Sequence, residues 1–188
     1  MTRIIGGDFR GRSIKVPDAE TRPTSSRVRE AIFSSVEHAV SGLDDLRVLD
    51  LFAGSGAFGI ESISRGAAEA VLIEKDLRAA DTLHINIAGL GIKNAKVVIA
   101  DVMAEVAQTS SRGAFDVVFI DPPYAFEDQQ VDALLVQLAQ NGWLEEYALL
   151  VVERGSRSAV HWPESVEELR KKVYGDTTIW YGQYLTNE

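Results

Sequence analysis

Four acids and two turns in this chain have the types and spacing to do chemistry. The first is Asp50, at the end of the apolar run Val48-Leu49-Asp50-Leu51-Phe52. Directly after it come Gly54, Gly56 and Gly59, spaced G-x-G-x-x-G, with Ala53 and Ser55 completing the turn. Glycines at this spacing let a backbone turn sharply and let a ligand approach where a Cβ would collide, although the pattern alone is weakly specific. Glu74, with Lys75 beside it, follows Gly56 by 18 residues. That is the distance at which a carboxylate accepts both hydroxyls of a nucleotide ribose. Asp101, followed by Val102, could accept from an adenine amine, and Asp50 could position the far end of the same ligand.

The second turn is more specific. Asp121-Pro122-Pro123-Tyr124 also follows a buried apolar run. Two prolines fix φ and supply no amide donors, so the turn is stiff and its carbonyls are free to accept. Asp121 and the Pro122 carbonyl can take the two hydrogens of an exocyclic amine and turn its lone pair outward. Tyr124 can stack on the flat base that carries that amine. A nucleotide-like cofactor beside a planar amine implies transfer of a methyl group from S-adenosylmethionine. Such a reaction needs in-line positioning and a route for one proton to leave, and it needs no metal.

These residues require a frame. From Arg47 onward the pattern alternates strand and helix. Predicted strands are Val48–Leu51, Ala70–Ile73, Ala95–Ala100, Phe115–Ile120 and Ala148–Val152. Predicted helices are Phe58–Arg65, Leu77–Ala88, Val102–Ala107 and Val131–Gln140. The strands are apolar throughout rather than alternating, as in a parallel sheet buried on both faces. Asp50, Glu74, Asp101 and Asp121 then fall at the carboxyl ends of four successive strands, where open α/β sheets bind ligands. Ahead of the sheet, Val28, Ile32, Val36 and Ala39 mark one face of a helix closed by Ser41-Gly42, with Thr24 its predicted N-cap. Residues 1–17 read as a small hairpin around a glycine-rich basic turn, and 18–23 as a polar linker. Glu168–Tyr174 and Thr177–Leu185 read as a terminal antiparallel hairpin around Gly175-Asp176.

Composition sets the remaining bounds. A chain of 188 residues with 46% hydrophobic and 25% charged content suits one globular domain. With no cysteine, thiolate metal sites and cysteine nucleophiles are excluded. His38, His84 and His161 match no metal-ligand spacing. No apolar run approaches the ~18 residues of a membrane span, and no signal peptide is evident, so the expectation is a cytoplasmic protein. The net charge of −9 argues against a nucleic-acid partner until its distribution is read. Residues 1–30 hold seven bases and four acids, a local +3 that leaves −12 on the rest. A short basic arm on an acidic body can grip phosphate locally.

On these motifs the chain resembles the class I S-adenosylmethionine-dependent methyltransferases of the amino type. More narrowly, it is similar to the RsmD family, which methylates guanine N2 of 16S rRNA in the small ribosomal subunit. The narrower resemblance rests on Arg3-Ile4-Ile5-Gly6-Gly7, Arg22-Pro23-Thr24 and Arg27-Val28-Arg29-Glu30, together with both turns and the total length. It implies a Rossmann-like, mostly parallel sheet over residues 18–188 with an N-terminal hairpin arm over 1–17. Gly54, Gly56, Glu74 and Asp101 would hold S-adenosylmethionine. Residues 121–124 would hold the guanine, and Arg22-Pro23-Thr24 would pack near the methionine end. The arm, with Arg3, Arg10 and Arg12 and then Arg22 and Arg27, would contact RNA in the small subunit or a late assembly intermediate. Nothing demands more than a monomer.

The residues alone leave three other readings open. An adenine-N6 or cytosine-N4 methyltransferase would use the same proline turn. An NAD(P)-dependent oxidoreductase would use the glycines and Glu74 but leave the proline turn idle. A non-catalytic ribosome-assembly module could be built on the same scaffold.

Overall fold

The computed structural model describes residues 1–17 and 24–186. The predicted linker 18–23, with Arg22 and Pro23, lies outside the described residues. A two-stranded hairpin, β1 (Thr2–Arg3) and β2 (Ser13–Ile14), precedes helix α1 (Ser26–Val40). The alternating region then runs β3 (Arg47–Asp50), α2 (Ala57–Ser64), β4 (Glu69–Glu74), α3 (Leu77–Leu90), β5 (Ala95–Ile99), α4 (Val102–Val106), β6 (Phe115–Ile120) and α5 (Asp128–Gln140). Three long strands finish the chain: β7 (Leu144–Gly155), β8 (Val166–Tyr174) and β9 (Thr177–Tyr184).

Seven strands form one sheet in the order β5-β4-β3-β6-β7-β9-β8. Strands β3 to β7 pair in parallel, and β9 enters antiparallel between β7 and β8. The predicted terminal hairpin is therefore present, with its second strand lying inside its first. Strand order reverses between β3 and β6, and a ligand crevice opens at such a point. Each face of the sheet has its own apolar layer. One holds Ile32, Phe33, Phe58, Leu72, Phe119 and Val151 under α1 and α2, and the other holds Leu49, Val71, Val118, Leu134 and Val152 under α4 and α5.

Several boundaries differ from the sequence expectation for physical reasons. Strand β7 begins four residues early because Leu144 pairs with Phe115 ahead of a bulge, where Tyr147 takes φ 64°. Helix α5 begins at Asp128 because the Gln130 side chain accepts the Glu127 amide at 2.9 Å, holding a polar first turn. The N-cap of α1 is Ser25, not Thr24: Ser25 Oγ accepts the Val28 amide at 3.3 Å.

The N-terminal hairpin docks on the body through one buried acid. Glu61, 1% exposed on α2, accepts the Ile5 and Gly6 amides at 2.8 and 2.7 Å and the Arg65 guanidinium at 2.9 Å. Arg29, counted above with the basic segment, is itself buried and approaches the same carboxylate at 3.8 Å. Ile4 and Ile14 join the core layer beneath α1 and α2. Past the two paired residues per strand, the Ile4 amide still donates to the Arg12 carbonyl at 2.9 Å, and the Ile5 and Gly6 amides that follow turn to Glu61.

Candidate active site

The glycine turn is built around Asp50. Its side chain is 1% exposed, and the Gly59 amide donates to Oδ2 at 3.0 Å. Oδ1 is buried and has no partner among the described residues. Burial pushes the Asp50 carboxyl up to about 7, with Glu74 adding to the rise and the Gly59 amide opposing it. Gly56 stands at the N-cap of α2 with φ 81°, and a Cβ there would lie 2.4 Å from Leu83 Cδ1. At Gly54 a Cβ would meet nothing within 4 Å, so the turn is open on the side where a ligand would lie. Gly59 serves packing, since a Cβ there would strike Leu72 at 2.5 Å.

Glu74 locks this turn to β4. Its Oε2 accepts the Gly54 amide at 2.9 Å and its Oε1 accepts the Asp76 amide at 2.8 Å. Each oxygen keeps a second lone pair, so the predicted ribose diol can still be held. Asp101 does more local work than the sequence suggested. Its Oδ1 caps α4 by accepting the Met103 and Ala104 amides at 3.0 and 3.3 Å, and its Oδ2 lies 3.7 Å from Lys75 Nζ. Ala53 donates its amide to the Ile73 carbonyl at 3.0 Å, and the Ser55 carbonyl accepts from Asn86 at 3.0 Å. Val102 is buried at the start of α4. An orphaned buried carboxylate oxygen, an open glycine face and an edge carboxylate with spare lone pairs fit S-adenosylmethionine.

Across the crevice, β6 delivers Asp121-Pro122-Pro123-Tyr124. The Pro123 carbonyl accepts the Phe126 amide at 2.8 Å, whereas the Pro122 carbonyl has no backbone partner among the described residues. The Pro122 carbonyl is the one the sequence assigned to the amine. Tyr124 is 78% exposed, an aromatic face presented to solvent. Burial raises the Asp121 carboxyl well above its ordinary range, and the nearby Glu153 and Asp50 raise it further.

Sheet register explains that crowding. Asp50 pairs with Leu72 on β4 and with Phe119 on β6, and Phe119 pairs with Val151 on β7. Two residues further along their strands stand Glu74, Asp121 and Glu153. Side chains two apart share a face, so all four carboxylates line the face covered by α1 and α2. Thr24, which no longer caps α1, donates its hydroxyl to Glu153 Oε2 at 2.8 Å. This places Thr24 at the acceptor end of the crevice. Arg154 anchors the proline turn from below, donating to the Phe126 carbonyl and to Asp128 Oδ1, both at 2.7 Å. Phe52, just before the glycine turn, packs edge-on against Phe126 at 5.2 Å and joins the two turns.

The structure thus gathers Thr24, Asp50, Ala53, Gly54, Ser55, Gly56, Glu74, Lys75, Asp101, Val102 and residues 121–124 at the carboxyl ends of the strands. It places the arginines differently. Arg3, Arg10, Arg12 and Arg27 are exposed, but the hairpin docks against Ser64 and Gly89 at the C-terminal ends of α2 and α3. Both helices start at the crevice, so these ends point away from it. Arg27 sits in the first turn of α1, three residues from Thr24. The sequence reading missed Glu153, Arg154 and Asn86. Glu153 had the same signal as the four acids it did find, an acid directly after a buried strand. Arg154 and Asn86 had none, since only the fold reveals that they are buried.

Comparison with known proteins follows the same line. The family model described as Conserved hypothetical protein 95 matches residues 2–183. Ribosomal RNA small subunit methyltransferase D of Escherichia coli is 43% identical over 152 residues, 80% of this chain and 73% of that protein. YlbH of Bacillus subtilis is 37% identical over 183 residues, covering 94% of this chain and 96% of its own. The solved structure of the Escherichia coli protein yhhF superposes with a TM-score of 0.85 at 38% identity, covering 99% of each chain.

Proposed function

Because the chain belongs to the RsmD family, we propose that it transfers a methyl group from S-adenosylmethionine to the exocyclic N2 amine of a guanine in 16S rRNA. The observation that carries the reading is the pairing of two turns across the point where strand order reverses. The glycine turn of β3 holds the cofactor, and Asp121-Pro122-Pro123-Tyr124 of β6 holds a planar amine beside it.

When bound, S-adenosylmethionine supplies a methyl group on a positively charged sulfur, already activated for transfer. Asp50 and the open face of Gly54 receive its methionine end, Glu74 its ribose and the Asp101–Val102 edge its adenine. Asp121 and the Pro122 carbonyl accept the two amine hydrogens and aim the nitrogen lone pair at the methyl carbon. Tyr124 stacks on the guanine. Transfer to this amine would form the N–C bond and leave the pair of the broken S–C bond on the donor sulfur. The nitrogen then sheds one proton to regain neutrality. Positioning supplies most of the rate, as expected when the leaving group is good.

The substrate is the small ribosomal subunit or a late assembly intermediate, where a few exposed arginines suffice because the particle supplies further contacts. The N-terminal hairpin is the arm that grips RNA, the enzyme acts as a monomer, and its substrate keeps it in the cytoplasm. Among the described residues, no helix is long and apolar enough to cross a membrane.

The test is incubation with isotopically labelled S-adenosylmethionine and three acceptors: under-methylated small subunits, naked ribosomal RNA and genomic DNA. Mass spectrometry of the digested nucleosides identifies the product. N2-methylguanosine from subunits is the expected result. Label in methyladenine would overturn the substrate while keeping fold and cofactor.

A further inference from the structure

Glu153 stands beside the amine site and has no role in the chemistry described so far. It is opposite Asp121 on the neighbouring parallel strand, because Ile120 pairs with Val152 immediately before the two acids. Neighbouring strands lie about 4.8 Å apart, and both side chains point to the same face. Beside them sits Thr24, whose hydroxyl donates to Glu153 Oε2 at 2.8 Å and lies near enough to Asp121 to act on its carboxyl.

Hydrogen-bond accounting decides what this bridge requires. A threonine hydroxyl has one hydrogen and two lone pairs. It can donate to one carboxylate only, and a second carboxylate facing its oxygen must bring a proton of its own. The chain Asp121–Thr24–Glu153 is fully satisfied when the two acids hold a single proton between them.

We propose that Asp121 and Glu153, bridged by the Thr24 hydroxyl, form a proton-sharing pair that receives the proton leaving the methylated amine. The inference rests on the methyltransferase reading above and adds the acceptor that the reading leaves unassigned. In the structure Thr24 donates to Glu153, so the shared proton rests on Asp121; once it passes through Thr24 to Glu153, the Thr24 hydroxyl turns to Asp121 and Asp121 faces the amine as an anion. After the N–C bond forms, one N–H bond breaks and an O–H bond forms on Asp121. The pair, now neutral, gives that proton to water as the product leaves. Glu153 touches no reacting atom and acts as a positioning residue through Thr24.

The surroundings suit such a pair. Asp50 on β3 adds a negative charge from one side, with Glu74 beyond it, and Arg154 on β7 supplies the opposing positive charge. Arg154 is already committed to Asp128 and the Phe126 carbonyl, so it does not neutralise either acid outright. Burial raises both members of the pair, which favours holding one proton between them.

The experiment follows the carboxyl carbons of 13C-labelled aspartate and glutamate by NMR in cofactor-free protein, across pH, for wild type, Glu153→Gln and Thr24→Val. A thermal melt verifies that each variant is folded. In the wild type, Asp121 and Glu153 should titrate in two coupled steps. Glu153→Gln should lower the Asp121 midpoint by at least one pH unit, and the acid limb of the single-turnover methylation rate should move with it. Thr24→Val should slow single turnover about tenfold without moving the cofactor Kd beyond twofold, and Thr24→Ser should restore the rate. An Asp121 midpoint unmoved by Glu153→Gln overturns the pair, as does a Thr24→Val enzyme with the wild-type rate. Coupled titration in a protein that methylates no nucleic acid would instead strike the methyltransferase reading and leave the pair standing.

Discussion

The Gly59 amide donates to Asp50 Oδ2 at 3.0 Å, tying the start of α2 back to the end of β3 across the glycine turn. This bond stabilises the charged carboxylate, yet burial outweighs it and the group titrates near 7. The sign of the consequence is fixed. Between about pH 4 and 7 the folded protein keeps a proton that the unfolded chain has lost, so Asp50 lowers stability as pH rises through that window. The full span is worth on the order of 4 kcal/mol at most. Asp128, held down by Arg154, and Glu69, held down by Lys96, act with the opposite sign.

Asp50→Asn keeps an acceptor for Gly59 and removes the titration. Urea unfolding of the cofactor-free protein should therefore show the variant gaining on the wild type between about pH 4 and 7. A constant difference across that range would contradict the placement of Asp50 in a desolvated site. Binding a cation against the free Oδ1 should also favour the ionised form, so wild-type affinity for S-adenosylmethionine should tighten over the same range.

Asp121→Asn tests the acceptor site. Its amide nitrogen would meet the amine hydrogens with hydrogens of its own if it faced them, and it cannot take up a proton. Single-turnover methylation should fall about 10²- to 10³-fold, in the range for loss of a general base. Stability should not fall, because the change removes a partly buried charge that stands near Glu153 and Asp50. Calorimetry and denaturant unfolding would separate the two effects. A variant equally impaired in folding and activity would mean that Asp121 is structural.

Gly56→Ala should damage the cofactor turn without touching the acceptor side. The position has φ 81°, and the new Cβ would fall 2.4 Å from Leu83 Cδ1 and 2.9 Å from Ile60 Cδ1. Strain and overpacking together cost about 1–3 kcal/mol. Affinity for S-adenosylmethionine should drop at least tenfold by isothermal titration. The same substitution at Gly89, in the exposed end of α3 where a Cβ meets nothing, should leave affinity unchanged.

Glu61→Ala should release the N-terminal hairpin. The substitution strips the partner from the Ile5 and Gly6 amides and from Arg65, and leaves Arg29 buried without its counter-charge. Breaking a buried pair from one side costs about 3–5 kcal/mol. Limited proteolysis should cut within residues 1–17 at protease levels that spare the wild type. If the hairpin is the RNA grip, the variant should lose affinity for subunits while retaining affinity for S-adenosylmethionine.

Legibility differed by the kind of signal. The strands could be read from Val48–Leu51 and Phe115–Ile120 because an apolar run buried on both faces looks alike in sequence and in structure. The row Asp50, Glu74, Asp121 was legible because each acid follows such a run. Glu153 follows one too, but no motif marks it. Thr24 reads as the cap that Ser25 holds, since two adjacent hydroxyl residues are equivalent locally and only contact with Glu153 tells them apart. Arg29 and Glu61 look like solvated helix charges, and their burial depends on a hairpin packing from 26 and 55 residues away. Pairings of that kind are properties of the fold.

Tyr124 separates recognition from chemistry most cleanly. It is 78% exposed, so its ring contributes little to folding, and Tyr124→Ala should leave the melting temperature within about a degree. Stacking of an aromatic side chain on a base is worth about 1–3 kcal/mol. The variant should therefore lose roughly 10- to 100-fold in kcat/KM for the ribosomal substrate, with S-adenosylmethionine affinity unchanged. Tyr124→Phe keeps the ring and drops the hydroxyl, so it should recover most of the loss. If phenylalanine were as poor as alanine, the hydroxyl rather than the ring would be the contact, and stacking would not be how the guanine is held. Fluorescence titration with subunits and steady-state kinetics on the same preparations would decide between them.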